Sequence, residues 1–254
     1  MITLKSKEEI KLIREGGKIL SAILNKVAKK AKAGVTTMEL DQLAESLILE
    51  AGGEPSFKGY GGKHNPYPAT LCISTNEELV HGIPGERILK SGDIVGLDIG
   101  MRYPKGNGLY TDMAVTVAIG KIDKKTEKLM SVTKKSLELW IRNLKPGIKL
   151  NDIATKVQKY IEGEGFSIVR DLVGHGVGHD VHEDPPIPNY AYSGQTVVLK
   201  EGMVLAIEPM VSMGHYKIVT LDDGWTVSMK DLSYCAHYEH TIAILKDRTI
   251  IITK

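Results

Sequence analysis

Apolar residues recur with a helical period in four segments of the chain. Two of these segments open with a capping box, in which a Ser or Thr is followed three residues later by Glu: Ser6 with Glu9, and Thr36 with Glu39. Gly52-Gly53 and Pro146-Gly147 follow the second and third segments, as expected where helices end. The pattern predicts helices over residues 7–32, 37–51, 124–143 and 150–162.

Short runs rich in β-branched and aliphatic residues occupy much of the rest of the chain. Between residues 72 and 117 they are separated by turn signals such as the stretch 104–108. Further strands are predicted at 197–199, 204–211, 226–229, 238–245 and 249–253. Because a pair of helices followed by β runs occurs twice, we predict one α+β domain over residues 1–254, with two similar halves and a central sheet.

Four carboxylates stand where these strands should be apolar: Asp98, Asp112, Glu208 and Glu239. An unpaired buried carboxylate costs several kcal/mol, and it would usually take up a proton instead. A single such acid can be satisfied by backbone N–H groups, but four in one small domain need a common partner. The four segments contain almost no Lys or Arg, so divalent cations are the stronger candidate because they prefer oxygen ligands.

Three histidines cluster in the segment LVGHGVGHDVHEDP, at positions 175, 179 and 182. The glycines between them argue against a helical zinc pair, and the three side chains need not reach one ion. We expect one to bind metal and another to contact substrate, although each could instead be a hydrogen-bonded structural residue. His81 stands alone and by itself is typical of a turn.

Bulk composition excludes several classes of protein. The 254 residues are 42% hydrophobic and 25% charged, and the formal net charge of +2 gives no electrostatic reason to expect nucleic acid as the main ligand. The sequence has no apolar leader and no apolar stretch approaching 18 residues, so neither secretion nor a membrane span is predicted. Cys72 and Cys235 lack CxxC spacing, which favours a reduced, cytoplasmic chain.

The chain resembles the type I methionine aminopeptidases of peptidase family M24 over nearly its whole length. The matching segments follow the order of that family: LCISTNEELVHGIP (71–84), SGDIVGLDIG (91–100), TDMAVTV (111–117), GHGVGHDVHEDP (174–185), EGMVLAIEPMV (201–211) and YEHTIAI (238–244). The resemblance implies the pita-bread (creatinase/aminopeptidase) fold, in which two pseudo-symmetric α/β halves surround a central antiparallel sheet. It also implies removal of the N-terminal methionine, preferably before a small second residue.

The functional residues of the family can be assigned to matching positions of this chain. The resemblance implies that two divalent metal ions are held by Asp98, Asp112, His175, Glu208 and Glu239, with Asp112 and Glu239 bridging both. Glu208 would accept and pass on the proton of the attacking water, and His81 and His182 would contact the substrate near the scissile amide. The methionine pocket would include Cys72 and Trp225, with Val181 where a larger apolar residue is common.

The resemblance leaves the metal unnamed, because this ligand set suits cobalt, manganese, iron(II) or zinc. The implied partners are the N-termini of nascent polypeptides, with a transient ribosome contact, no membrane and no specific nucleic acid. No exposed apolar stripe requires an oligomer, so a monomer is expected.

Three departures from the family pattern stand out. Residues Lys63 to Pro66 resemble an insertion in the loop that borders the methionine pocket, which puts the selectivity of that pocket in question. The stretch 103–108 lengthens the hairpin between Asp98 and Asp112. His237 stands where the family commonly has glutamine, and we expect it to support the ligands.

Two rival functions are weighed against this one. Xaa-Pro aminopeptidases and dipeptidases share the ligands and fold, but they usually carry an extra N-terminal domain, and type II methionine aminopeptidases carry a long insertion that is missing here. An inactive relative acting as a binding module would typically lose metal ligands, and all five are present.

Overall fold

A computed structural model describes residues 1–194 and 196–254. Four helices are present in these ranges: α1 (Lys7–Lys30), α2 (Thr37–Glu50), α3 (Lys124–Asn143) and α4 (Leu150–Gly163). Both predicted capping boxes form, since the Ser6 and Glu9 side chains exchange hydrogen bonds with each other's backbone N–H groups, as do Thr36 and Glu39. The four predicted helices are therefore confirmed, to within about two residues at each end.

The strands pair in antiparallel fashion throughout the described residues. Their bounds are β1 (Glu54–Pro55), β2 (Leu71–Thr75), β3 (Glu78–Val80), β4 (Ile94–Tyr103), β5 (Leu109–Ala118), β6 (Ser167–Ile168), β7 (Gly174–Gly176), β8 (Glu183–Ile187), β9 (Val204–Ile207), β10 (Met210–Ser212), β11 (Ile218–Thr220), β12 (Val227–Met229), β13 (Cys235–His237), β14 (His240–Ile244) and β15 (Thr249–Ile251). A four-stranded sheet runs β1-β4-β2 with β5 beside β4, a five-stranded sheet runs β15-β14-β9-β7-β8, and two three-stranded sheets run β13-β10-β6 and β11-β12-β3.

The predicted repeat of helix pair and sheet is present. Helices α1 and α2 cover β2, β4 and β5 with one apolar core, which includes Leu24, Leu40 and Leu97. Helices α3 and α4 cover strands of the second half with another core, centred on Trp140 and Val157. Each helix therefore buries one apolar face against a sheet, which is the arrangement that the helical period in the sequence requires.

Threonine hydroxyls join the two halves along the edge of β5. The Thr241 Oγ1 atom accepts from the Asp112 N–H at 3.0 Å and donates to the Asp112 carbonyl oxygen at 2.7 Å. In the same way, Thr116 Oγ1 accepts from the His237 N–H at 2.9 Å and donates to its carbonyl at 2.7 Å. We call this contact the threonine seam; it satisfies buried backbone groups where no regular ladder continues.

Three strand predictions need correction. The run 204–211 is two strands interrupted at Glu208 and Pro209, and the run 238–245 begins only at His240. The reason is that both segments pass from one sheet to another at these residues. Ile207 pairs with His240 in the five-stranded sheet, whereas Met210 pairs with His237 in a three-stranded sheet. The run 197–199 makes one isolated bridge, from Val198 to Lys149.

Candidate metal centre

The β4–β5 hairpin presents two carboxylates on one face. Asp98 lies opposite Ala114, and Asp112 lies opposite Gly100. Residues 98 and 100 share a face because side chains alternate along a strand, so Asp98 and Asp112 are diagonal neighbours within reach of one another. The hairpin thus brings together two acids that are fourteen residues apart in sequence.

The other two carboxylates come from the paired strand interruptions. Glu208 follows β9 and Glu239 precedes β14. At these residues two neighbouring segments pass from the five-stranded sheet to a three-stranded one. The Glu239 N–H donates to the Ala114 carbonyl at 2.9 Å, and the Asn189 side chain donates to the Glu208 carbonyl at 3.1 Å. These hydrogen bonds fix the backbone at both interruptions of the strands, and the two carboxylates face the β4–β5 hairpin.

His175 completes the cluster from β7, where it pairs with Ala206 of β9. Its Nδ1 atom lies 2.9 Å from the Gly176 carbonyl oxygen, and its Nε2 atom lies 3.4 Å from Glu208 Oε1. Ligand atoms of Asp112, His175 and Glu239 all lie within 4.8 Å of one another. A glycine is needed next to His175 because a Cβ at Gly176 would lie 2.2 Å from the Asp184 carbonyl oxygen.

Burial sets the protonation of these groups when no cation is bound. Loss of hydration raises the pKa of Asp98 to about 7 and that of Glu208 to about 8. It also raises the pKa of Asp112 and Glu239 well above the ordinary range, and mutual repulsion among the acids adds to the shift. Burial lowers the pKa of His175 to about 3, so its imidazole is neutral and able to bind a metal.

Unpaired oxygens show that this cluster fits cations. Among the residues that the structure describes, Asp98 Oδ1, Asp112 Oδ1 and Glu239 Oε1 are buried without a hydrogen-bond partner. Within the same residues no Lys or Arg forms an ion pair with the four acids; Glu208 contacts His175 and His237. Four carboxylates and one neutral imidazole are donors for hard or borderline divalent ions, which would satisfy those oxygens and permit ionisation.

A cavity of about 270 Å³ opens above the cluster. All five candidate ligands line it, together with His81 and His182. The remaining wall contains Asp171 but is otherwise apolar and aromatic, and it is formed by Phe57, Tyr60, Tyr67, Cys72, Val80, Leu172, Val173, Met210 and Trp225. An apolar pocket with a few converging polar groups is the usual form of an active site or ligand-binding site.

A sequence profile of metallopeptidase family M24 matches residues 11–246 of the chain. The chain belongs to metallopeptidase family M24. Its similar relatives include a methionine aminopeptidase of Clostridium perfringens, 48% identical over 100% of this chain and 99% of that protein, and methionine aminopeptidase 1 of Bacillus subtilis, 47% identical over 100% of both.

Solved structures in family M24 share the fold. The methionine aminopeptidase of Thermotoga maritima is 44% identical, with a TM-score of 0.94 and full coverage of both chains. The prolidase of Pyrococcus furiosus is 24% identical with a TM-score of 0.79, covering 99% of this chain and 65% of that one, which is a likeness of fold alone. The predicted pita-bread fold is thereby confirmed.

The three histidines of the segment 172–185, whose roles the sequence pattern alone does not distinguish, lie in different places relative to the site. His182 lies in the cavity, with its ring centroid 4.4 Å from that of His175, and its Nδ1 atom lies 2.8 Å from the Tyr60 hydroxyl. His179 points away, with its Nε2 atom 2.6 Å from Glu9 Oε1 on α1. His179 is therefore outside the site.

His81 is both a turn residue and a cavity residue. It follows β3 with φ +58°, a left-handed conformation that is unfavourable for a residue with a Cβ. This conformation turns its ring into the cavity, where it meets Trp225 edge-on at a centroid separation of 6.3 Å. Burial lowers its pKa to about 4, and burial likewise lowers the pKa of His182, so both rings are neutral.

Of the predicted pocket residues, Cys72 and Trp225 line the cavity, and Val181 packs behind its wall. Cys72 pairs with Asp98 across β2 and β4, and Val181 packs with Cys72, Phe57 and Tyr67 in a small apolar cluster. The Trp225 Nε1–H donates to the Asn65 carbonyl at 3.1 Å, so the 63–66 loop does touch the pocket wall. Cys72 and Cys235 are free and buried.

Sequence reasoning missed Tyr60 and Tyr67 as site residues. Tyr60 is the hydrogen-bond partner of His182, and the buried Tyr67 hydroxyl donates to the carbonyls of Leu71 or Gly82, at 2.8 and 2.9 Å. Aromatic residues flanking the glycines at 59, 61 and 62 are the signal that could have identified them. His237 lies with Nε2 3.4 Å from Glu208 Oε2, beside a candidate ligand.

Proposed function

We propose that this protein is a methionine aminopeptidase that removes N-terminal methionine from peptides and nascent polypeptides whose second residue is small. The observation that carries the proposal is the cluster of four acids and His175 at the floor of an apolar cavity. Relatives 40–48% identical over at least 99% of the chain bear that name, which supports the same substrate. Residues 1–254 would act as one catalytic domain, because both halves supply ligands.

The proposed cofactor is a pair of divalent ions held by Asp98, Asp112, His175, Glu208 and Glu239. Two such ions balance the charge of four carboxylates, and the unpaired oxygens of the cluster support this count. Bound divalent ions supply Lewis acidity and a water whose pKa is lowered toward neutrality. Cobalt, manganese, iron(II) and zinc all suit the ligands.

Glu208 is suited to move a proton during the reaction. Bound cations would keep its carboxylate ionised despite its burial, so that it could take up a proton beside the scissile bond and pass it to the leaving amine. His237 and His175 contact its two oxygens and fix its orientation.

His182 and His81 complete the polar groups around the scissile bond. If the Tyr60 hydroxyl donates to Nδ1 of His182, the neutral ring carries its proton on Nε2 and can donate to the developing oxyanion. His81 faces the same cavity and would contact the amide next to the cleaved bond. The apolar wall around Cys72 and Trp225 would receive the methionine side chain.

The test is a steady-state assay on short peptides with the metal-loaded protein. We expect turnover of Met-Ala and Met-Gly peptides, and much less of Met-Leu or Met-Lys peptides. Ala-Pro peptides serve as the discriminating substrate, because they report the Xaa-Pro activity of the same fold. Turnover of Ala-Pro with none of Met-Ala would refute the proposal.

Cellular context remains a prediction. We expect the protein to act in the cytoplasm as a monomer, with a transient contact to the ribosome where nascent N-termini emerge. Within the described residues, no helix has the length and apolar character needed to cross a bilayer.

A further inference from the structure

A buried ion pair joins the N-terminal segment to the turn that carries His182. The Lys5 Nζ atom contacts Glu183 Oε2, and the two side chains are only 1% and 9% exposed. The Lys5 backbone N–H donates to the Gly202 carbonyl at 2.7 Å, which anchors the lysine from behind. Because both groups are removed from water, loss of either partner would leave an uncompensated buried charge at this contact.

The Glu183 carboxylate fixes the shape of the turn between β7 and β8. Its Oε1 atom accepts the N–H groups of His179 and Asp180, at 2.6 and 3.1 Å. Its Oε2 atom accepts from Lys5 Nζ and from the Thr3 hydroxyl. The Glu183 carboxylate therefore links the turn, through Oε1, to the N-terminal segment, through Oε2.

The turn is also built around the lysine stem. Gly178 has φ +145°, and a Cβ at this position would lie 2.5 Å from Lys5 Cε. A glycine at this position therefore leaves room for the Lys5 side chain and permits the positive φ. The backbone of the turn and the Lys5 side chain are thus packed as one unit.

His182 lies between this turn and β8. It directly precedes Glu183, whose backbone pairs with Gly176 of β7. Its ring reaches the cavity, where Nδ1 meets the Tyr60 hydroxyl at 2.8 Å. A small displacement of the turn would therefore move the imidazole relative to the scissile bond.

We propose that Lys5 and Glu183 are positioning residues for His182, holding the turn so that the imidazole faces the substrate carbonyl. This inference rests on the proposed function for its kinetic consequence. Neither residue lines the cavity, so both act through His182 and not on the substrate. Misplacement of a reacting group by about 1 Å can lower a rate by roughly 100-fold, and a smaller displacement of His182 should lower kcat about tenfold when the pair is broken.

A double-mutant cycle tests the coupling. Lys5→Met should lower kcat on a Met-Ala peptide about tenfold with metal content unchanged, whereas the exposed neighbour Lys7→Met should leave kcat as it is. In a His182→Ala background, Lys5→Met should lower kcat no further, because its effect passes through the missing ring. Additive losses would overturn the proposal, since a general structural defect acts regardless of His182.

A second variant guards against loss of folding. Lys5→Met leaves a buried unpaired carboxylate, and Lys5→Met/Glu183→Gln removes that charge. The double variant should regain thermal stability but keep the low kcat; full recovery of kcat would contradict a positioning role.

An NMR measurement separates this inference from the proposed function. The imidazole resonances of His182 should shift in Lys5→Met and stay in place in Lys7→Met, whatever the substrate. If wild-type protein does not cleave Met-Ala peptides, the proposed function fails and the NMR result alone decides the positioning role. Unchanged His182 resonances in Lys5→Met would overturn it.

Discussion

Thr241→Val tests the threonine seam with a nearly isosteric change. The substitution removes one hydroxyl that is fully buried, and this hydroxyl serves both the N–H and the carbonyl of Asp112. Two buried backbone groups then lose their partner, at roughly 1–3 kcal/mol each, so we expect a loss of about 3 kcal/mol in unfolding free energy. For a chain of this size that corresponds to a fall of roughly 6–12 °C in Tm.

The assay is thermal unfolding of chelator-treated protein, so that a change in metal affinity does not enter Tm. Thr155→Val is the matched control, because the Thr155 hydroxyl donates to the Asn151 carbonyl at 2.7 Å on the exposed face of α4. We expect this control to change stability by less than about 0.5 kcal/mol. If Thr241→Val lowers Tm no more than Thr155→Val does, the seam does not hold the backbone of Asp112 and the reasoning is wrong.

Further predictions concern the metals, pH and the cavity. Asp112→Ala should lose both ions together if it is shared between them; two tightly bound ions by elemental analysis would exclude that role. In metal-free protein, burial raises the folded-state pKa of Glu208 from 4.5 to about 8 and that of Asp98 from 3.8 to about 7. Between about pH 4 and 6.5 the buried histidines oppose this effect, because the unfolded chain protonates them and the folded chain does not. Above pH 6.5 only the acids still differ: the folded state holds protons that the unfolded chain releases, so Tm should fall as the pH rises from about 6.5 to about 8, and the fall should vanish when Mn²⁺ is added. Tyr60→Phe removes the hydroxyl beside Nδ1 of His182 and should lower kcat roughly tenfold with little change in KM. The reason is that this hydroxyl fixes which ring nitrogen of His182 carries the proton. An unchanged kcat would show that the hydroxyl is dispensable.

Local signals in the sequence were sufficient for the helices. The Ser6–Glu9 and Thr36–Glu39 capping boxes act within one turn, so no distant residue is needed to place the first two helix starts. The acids were recognisable for a similar reason, because a carboxylate within an apolar run stands out whatever surrounds it. The resemblance then supplied the order in which the candidate ligands belong together.

Long-range contacts decided what the sequence could not. The interruption at Glu208 depends on which sheets its two flanking strands join, and an apolar run carries no signal for that choice. The separation of His179 from His182 depends on Glu9, which lies about 170 residues earlier in the chain. Tyr60 was missed because an aromatic residue beside glycines is common in loops and becomes informative only next to a histidine.

The division of the candidate ligands between the halves gives bound cations a mechanical consequence. Asp98 and Asp112 come from the first half, and His175, Glu208 and Glu239 come from the second. An ion held by both sides acts as a cross-link, so the seam cannot open to proteases until the ion leaves. On this view the metal-free chain would be cleaved by proteases more readily than the loaded one.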